Sequence, residues 1–431
     1  MIKTLYSAKC TKEELLNRTV PESAEVDAIV RDIIDTVISG GDSALFEYAK
    51  RFDKASLTAL EVTEEEIDLA LSRVDDDFIK TLNMARENIA TFHKKQLRDG
   101  FVVKDDNGGI ILGQRILPLE RVGIYVPGGT ASYPSTVLMN AVPARIAGVK
   151  EIIMVTPPCS DGTIMDEILA AAAIAGVDRI FKIGGAGAVA ALAYGTESVP
   201  AVDKIVGPGN VFVATAKRMV FGKVAIDMVA GPSEILIVAD KTANPTFVAA
   251  DLLSQAEHDR LASAVLVTDS EELGLSVAKE LEVQLNKLSR SDIARTSIEN
   301  NGKIIITESI SEAIELSNDY APEHLELAIA DPFAWLDEVK NAGSVFLGHY
   351  TPEPLGDYFA GTNHTLPTSG TARFSSPLGV DDFVKRSSYI CYDKVALERV
   401  SRRVADFATR EGLTAHANSI TIRFDKEGAD S

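Results

Sequence analysis

From residue 121 onward the chain repeats one pattern, and that pattern restricts its fold more than any other feature. Short runs rich in β-branched residues, 122-VGIYV-126, 151-EIIMVT-156, 179-RIFKIG-184, 203-DKIV-206 and 224-VAID-227, alternate with Ala-rich helical segments. A second series follows: 235-ILIVAD-240, 263-SAVLVT-268, 303-KIIIT-307 and 344-SVFLG-348. Strands alternating with helices of ten to fifteen residues imply βαβ units and a parallel sheet. The pattern predicts an α/β protein with two Rossmann-like βαβ layers.

The flanks differ. Residues 11–100 read as helical, opening on TKEELL with the Thr-to-Glu spacing of a capping box. The stretch 64–95 keeps one helical periodicity, and His93 at its end reads as a solvated side chain. Residues 349–377 form a Gly/Pro/Thr-rich loop, long enough to suggest a functional role. Residues 394–424 read as a helical tail ending in a short strand-like stretch. The expected division is an N-terminal helical arm (1–24), a first layer (25–120 plus 234–377), a second layer (121–233) and a helical tail domain (378–431).

A formal net charge of −20 argues against nucleic acid or an anionic membrane as partner, since both need clustered Lys and Arg. The longest apolar stretch, 168-ILAAAAIAGV-177, is far short of the ~20 residues a bilayer requires. The N-terminus carries no h-region and reads as no signal peptide. Three scattered cysteines, Cys10, Cys159 and Cys391, suit a reducing, cytoplasmic setting without disulfides or a thiolate metal site. Cys391 reads as a packed thiol.

Candidate chemistry gathers in the second half. In 252-LLSQAEHD-259, Gln255 and His258 stand three residues apart and would share one helix face. With Asp357 of LGDY and His416 of LTAHAN they offer nitrogen and oxygen donors that suit Zn²⁺. By spacing alone they also fit a scattered structural set. Glu323 and His324 of 320-YAPEHLELA-328 could divide acid–base work or form a loop ion pair. The stretches 123-GIYVPGGTASYPS-135 and 207-GPGN-210 leave a strand and enter a helix through glycines that could approach a phosphate. In 184-GGAGAVAA-191, Gly185, Gly187 and Ala190 fit G-x-G-x-x-A, a spacing that tight turns use as well. Ser233 of 230-AGPSE-234 stands where the second strand series begins.

Read in order, ERVGIYVPGGTASYPSTVLMNAVPA, GTESVP, VDKIVGPGN, AGPSE, DLLSQAEH, APEHLE, GDYFAGTNHTLPTSG and EGLTAH resemble the histidinol dehydrogenase family over nearly the whole chain. The resemblance implies a cytoplasmic homodimer of histidine biosynthesis, with one Zn²⁺ per active site and two oxidations by NAD⁺, from L-histidinol through L-histidinal to L-histidine. It implies Gln255, His258, Asp357 and His416 as zinc ligands, His416 coming from the partner's tail. Glu323 and His324 would be the catalytic pair, with Ser233, His364 and Glu411 reading the substrate beside His324 and the metal ligands. Tyr125, Gly187 and Asn210 would meet NAD⁺.

One position departs. Where the family has Gln in GGAQA, this chain has Gly187, so a hydrogen bond worth about 0.5–1.5 kcal/mol is missing and NAD⁺ should be held several-fold less tightly. The departure also creates the G-x-G-x-x-A spacing, which is therefore discounted as a dinucleotide fingerprint. A family member oxidising another amino or polar alcohol is the alternative. A binding protein without catalysis, and a zinc hydrolase, fit the intact Glu–His pair and the glycine loops less well.

Overall fold

The structure, a computed structural model, describes residues 2–18, 24–106, 108–128 and 133–424. The chain divides into two compact units, residues 1–97 with 119–383 and residues 98–118 with 384–431.

The larger unit contains both strand series as separate parallel sheets. One has five strands in the order Arg179–Lys182, Glu151–Thr156, Arg121–Tyr125, Lys204–Val206, Ala225–Ile226. The other has six: Lys3–Tyr6, Lys303–Ile306, Ser263–Thr268, Glu234–Ala239, His324–Ala328, Ser344–Leu347. Arg121–Tyr125 lies between Glu151–Thr156 and Lys204–Val206, and Glu234–Ala239 between Ser263–Thr268 and His324–Ala328, a strand the second series did not include. The chain thus reverses its direction of winding beside each central strand, which is where open α/β sheets open a crevice. Every residue of Glu234–Ala239 is buried, as expected of a strand covered by helices on both faces.

The long periodic stretch of the N-terminal region is two helices, Glu64–Arg73 and Asp76–His93. Asp75 breaks it by capping the second, its carboxylate accepting the Phe78 N–H at 2.9 Å, a bond that satisfies one of the unpaired donors of a helix start. The capping box at Thr11 and Glu14 forms. Grouped by the sequence with 234–377, these helices pack instead on the five-stranded sheet. Val30, Val37 and Leu45 of Ala24–Tyr48 bury themselves with Phe181 and Ile205, and Leu82 and Ile89 with Val122 and Ile152. His93 is corrected too: it is fully buried, its Nδ1 2.9 Å from the Ile89 carbonyl.

The smaller unit is an antiparallel sheet of Val384–Tyr392, Ile110–Pro118 and Phe101–Lys104, with the helices Lys394–Arg410 and Thr414–Thr421. The end of the tail is helical and not a strand. Cys391 is exposed and not packed. Among the described residues, no helix is long and apolar enough to cross a membrane.

Candidate active site

The amino ends of Glu234–Ala239 and His324–Ala328, the two strands at the reversal of the six-stranded sheet, carry the densest set of buried polar groups. The helix Ile310–Tyr320 ends on Ala321 at φ 51°. A left-handed alanine costs ~1 kcal/mol, and such strain recurs where a backbone must present side chains in one direction. Pro322 then sends the chain into the strand. The backbone of Glu234 holds both residues that follow: its N–H donates to Glu323 Oε2 at 2.8 Å, and its carbonyl, in the next peptide unit, accepts from His324 Nδ1 at 3.0 Å. With its proton on Nδ1, the imidazole turns the Nε2 lone pair toward the cluster. Arg18 grips the Glu234 carboxylate through two bonds of 2.9 and 3.0 Å.

Facing His324 Nε2 is the short helix Glu353–Tyr358. Nε2 lies 3.8 Å from Glu353 Oε1 and 3.8 Å from Asp357 Oδ1, too far for hydrogen bonds. The three residues bring one donor atom each within 4.8 Å of one another. His364 Nδ1 donates to the Asp357 carbonyl at 3.0 Å, and its Nε2 sits 3.4 Å from the Thr136 hydroxyl. Gln255 is buried near the end of the helix Pro245–Ala256. His258 lies beyond that helix, in a turn whose N–H donates to the Gln255 carbonyl at 3.2 Å. The two residues therefore do not share a helix face; a turn past the helix end carries the histidine.

The electrostatics follow from crowding carboxylates out of water. Burial lifts Glu323 and Glu353 to about 8, and in Glu353 the nearby Asp357 adds to it. Burial opposes the imidazolium of His324, but the carboxylates of Glu323, Asp357 and Glu353 overcome it and raise this group to about 10; a cation held among those carboxylates would oppose the rise and leave Nε2 free to accept a proton. Burial would raise Asp357 as well, yet the imidazoles of His324 and His364 hold it well below the usual carboxylate range. Burial lowers His258 and His364, leaving them neutral and able to ligate.

Three buried atoms here lack a hydrogen-bond partner among the described residues: Gln255 Oε1, His324 Nε2 and Glu353 Oε1. Buried polar atoms in native proteins are almost always satisfied. Orphaned oxygen and nitrogen donors beside an excess of carboxylates form a set that fits a divalent cation such as Zn²⁺.

At the five-stranded sheet the polar groups sit at the opposite, carboxyl ends. The Tyr125 hydroxyl accepts the Gly185 N–H at 3.1 Å, and burial pushes it up to about 12. Gly207 has φ 107°, and a Cβ there would lie 2.2 Å from the Tyr125 carbonyl oxygen, so no other residue fits. Its N–H donates to Asp227 at 2.7 Å while Lys217 donates to its carbonyl at 2.8 Å. Lys217 and Asp227 pair with each other, both side chains almost wholly buried. Asn210 caps the helix Val211–Val220, its Oδ1 accepting from Phe212 and Val213. Gly187 is buried in the helix Gly185–Tyr194, where a Cβ would come 3.2 Å from the Tyr48 ring. Residues 129–132 of the PGG loop lie outside the described residues.

Of the residues singled out by sequence, the larger unit brings Glu323, His324, Asp357 and His364 together, with Gln255 and His258 on the helix end and turn beside them. Ser233 directly precedes the strand, its carbonyl accepting from Ser263 at 2.9 Å. Glu411 and His416 belong to the smaller unit, both exposed. Sequence reasoning missed Arg18, Glu234 and Glu353. An acidic residue opening the apolar run ILIVA was a signal for Glu234, since a carboxylate at a buried strand end needs partners. Arg18 and Glu353 gave none.

The model of the family described as histidinol dehydrogenase matches residues 16–424. The histidinol dehydrogenase of Clostridium acetobutylicum is 57% identical over 412 residues, covering 96% of this chain and 95% of the relative. That of Bacillus cereus is 58% identical over 402 residues, 93% of each. The crystal structure of histidinol dehydrogenase from Elizabethkingia anophelis superposes with a TM-score of 0.93 at 39% identity and 99% coverage of both chains.

Proposed function

The chain belongs to the histidinol dehydrogenase family, and from that premise we propose that it oxidises L-histidinol through L-histidinal to L-histidine, with two NAD⁺ as hydride acceptors. The observation that carries the reading is the backbone of Glu234, which binds the Glu323 carboxyl and the His324 imidazole side by side, with His324, Glu353 and Asp357 forming a set of metal-competent donors.

In this mechanism His324 Nε2 takes the hydroxyl proton of L-histidinol as the first hydride leaves. A base must lie within hydrogen-bond reach of that proton, and Nε2 is the ring atom left uncommitted. Glu323, held by one oxygen, uses the other to take a proton from the water that adds to the aldehyde. The hydrate then gives up its second hydride and leaves as the carboxylate. Over both steps one alcohol, one water and two NAD⁺ become one carboxylate, two NADH and three protons. Gln255, His258 and Asp357 would hold the Zn²⁺, with His416 of the partner subunit completing the set. When bound, the ion supplies a template for the substrate's nitrogen atoms and positive charge among the carboxylates. Ser233 and His364 line the substrate side, and Glu411 would come from the tail beside His416. Tyr125, Asn210 and the backbone at Gly187 would meet NAD⁺ at the carboxyl ends of the five-stranded sheet.

A homodimer is part of the proposal. The smaller unit leaves Phe101, Ile390, Val395, Phe407 and Ile422 exposed, an apolar surface of the kind a partner covers. A cytoplasmic location follows from the pathway and the scattered free thiols.

The test is NADH formation by the purified protein with L-histidinol and excess NAD⁺, repeated after chelation. Two NADH per histidinol, lost on chelation and restored by Zn²⁺, are expected. No NADH from a zinc-loaded protein would exclude histidinol and leave another amino alcohol as substrate.

A further inference from the structure

Arg18 reaches the back of the site from a segment 216 residues away from Glu234 in sequence. Its guanidinium makes both bonds to the Glu234 carboxylate from one nitrogen, while the other nitrogen donates to the Tyr320 carbonyl. It also stacks over the Tyr320 ring, 3.8 Å from the centroid. Tyr320 leads through Ala321 and Pro322 into Glu323 and His324; Glu234 carries the backbone N–H and carbonyl that the two of them bind. One guanidinium thus cross-links the two chain segments whose meeting forms the acid–base pair.

The grip is built rather than incidental. Arg18 and Glu234 expose 15% and 4% of their side chains. The approach to Arg18 is itself anchored, since Lys303 Nζ donates to the Leu15 carbonyl at 3.1 Å and the Asn17 carbonyl at 2.6 Å. Arginine is suited to this task because its planar fork binds a carboxylate and a carbonyl in fixed directions while its face stacks on an aromatic ring. A buried ion pair is in itself weak evidence of net stability, so what this one positions matters more than what it adds to stability.

We propose that Arg18 is a positioning residue for the reaction: through Glu234 and Tyr320 it fixes the backbone of the one residue, Glu234, whose N–H and carbonyl orient Glu323 and His324. The inference rests on the reading of those two residues as the acid–base pair. Loss of groups that orient the side chains of a metal site costs about 10–100-fold in affinity or activity, and the loss is expected on kcat because Arg18 is engaged by Glu234 and the Tyr320 carbonyl behind the pair.

The experiment compares wild type, Arg18→Ala and Arg18→Lys in kcat, in KM for NAD⁺ and in the imidazole ¹⁵N spectrum, with His324→Ala to assign the His324 signals. In Arg18→Ala, kcat is expected to fall about 10–100-fold, KM for NAD⁺ to stay within twofold, and added guanidinium to recover part of the activity. The His324 signals should lose the Nδ1-protonated pattern of the wild type. Arg18→Lys keeps the charge without the fork and should lose several-fold; it replaces the alanine variant if that one does not fold. Wild-type kcat in Arg18→Lys, or activity that follows the folded fraction without guanidinium rescue, overturns the proposal. If the wild type forms no NADH from histidinol, the functional reading fails separately, and the ¹⁵N spectra still decide: His324 signals unchanged by the Arg18 substitutions overturn the positioning role.

Discussion

The two parallel sheets of the larger unit share a winding order and use opposite ends of it. In the five-stranded sheet the glycines and Tyr125 sit at the carboxyl ends, where helix starts and strand ends open a crevice for a nucleotide. In the six-stranded sheet Glu234, Glu323 and His324 sit at the amino ends, where strands begin. The difference lies in what each site needs. A phosphate-bearing cofactor would be held by backbone N–H groups and small residues, and Gly185 and Gly207 both take the positive φ that favours glycine, Gly207 also lying against the Tyr125 carbonyl. Proton transfer needs side chains with shifted pKa values, and the amino ends bury them among one another until burial raises Glu323 and the surrounding carboxylates raise His324. On the proposed reading, the same topology would serve backbone recognition at one end and side-chain chemistry at the other.

Substitutions that separate the two ends test this contrast. The largest effect belongs to the chemical end. His324→Ala removes the base facing the cluster and should lower kcat about 10²–10⁴-fold, with KM for NAD⁺ little changed in steady-state assays. Next comes the buried ion pair at the other sheet. Lys217→Met strands Asp227 without its partner and should cost about 3–5 kcal/mol in urea unfolding; in whatever folds, KM for NAD⁺ should rise while the pH profile of kcat keeps its shape. The smallest is Gly187→Gln, which introduces the side chain that the family resemblance leads one to expect at this position. Its Cβ needs the Tyr48 ring to give way by a few tenths of an ångström. A hydrogen bond regained is worth about 0.5–1.5 kcal/mol, so KM for NAD⁺ should fall several-fold at constant kcat. A rise in KM instead would mean that Tyr48 does not yield.

Much of this contrast was legible in the sequence, and the physical reason is burial. Strands such as Glu234–Ala239 and Ser263–Thr268 are buried at every position, so they read as unbroken apolar runs. The strands of the smaller unit could not be read that way. Phe101–Lys104 is exposed throughout and Val384–Tyr392 nearly so, and an exposed strand carries no periodic signal. At the site, Glu323, His324, Asp357 and Gln255 stood out as chemical residue types in unusual settings. Glu353 lay in a Pro-rich stretch whose short helix had no periodicity to announce it. Arg18 looked like any arginine after a charged helix, because its partners are more than 200 residues away. The placement of His258 also needed coordinates, since the helix stops at Ala256.

The measurement that bears most directly on the account is the number of NADH formed per L-histidinol by Glu323→Gln beside the wild type, with NAD⁺ in excess and substrate limiting. The wild type should form two. The variant keeps His324 for the first oxidation and lacks the carboxylate that draws a proton from water, so it should stop at one with L-histidinal accumulating. Two NADH from the variant at an undiminished rate would contradict the division of labour between Glu323 and His324, and with it the claim that the amino ends of the six-stranded sheet carry the chemistry.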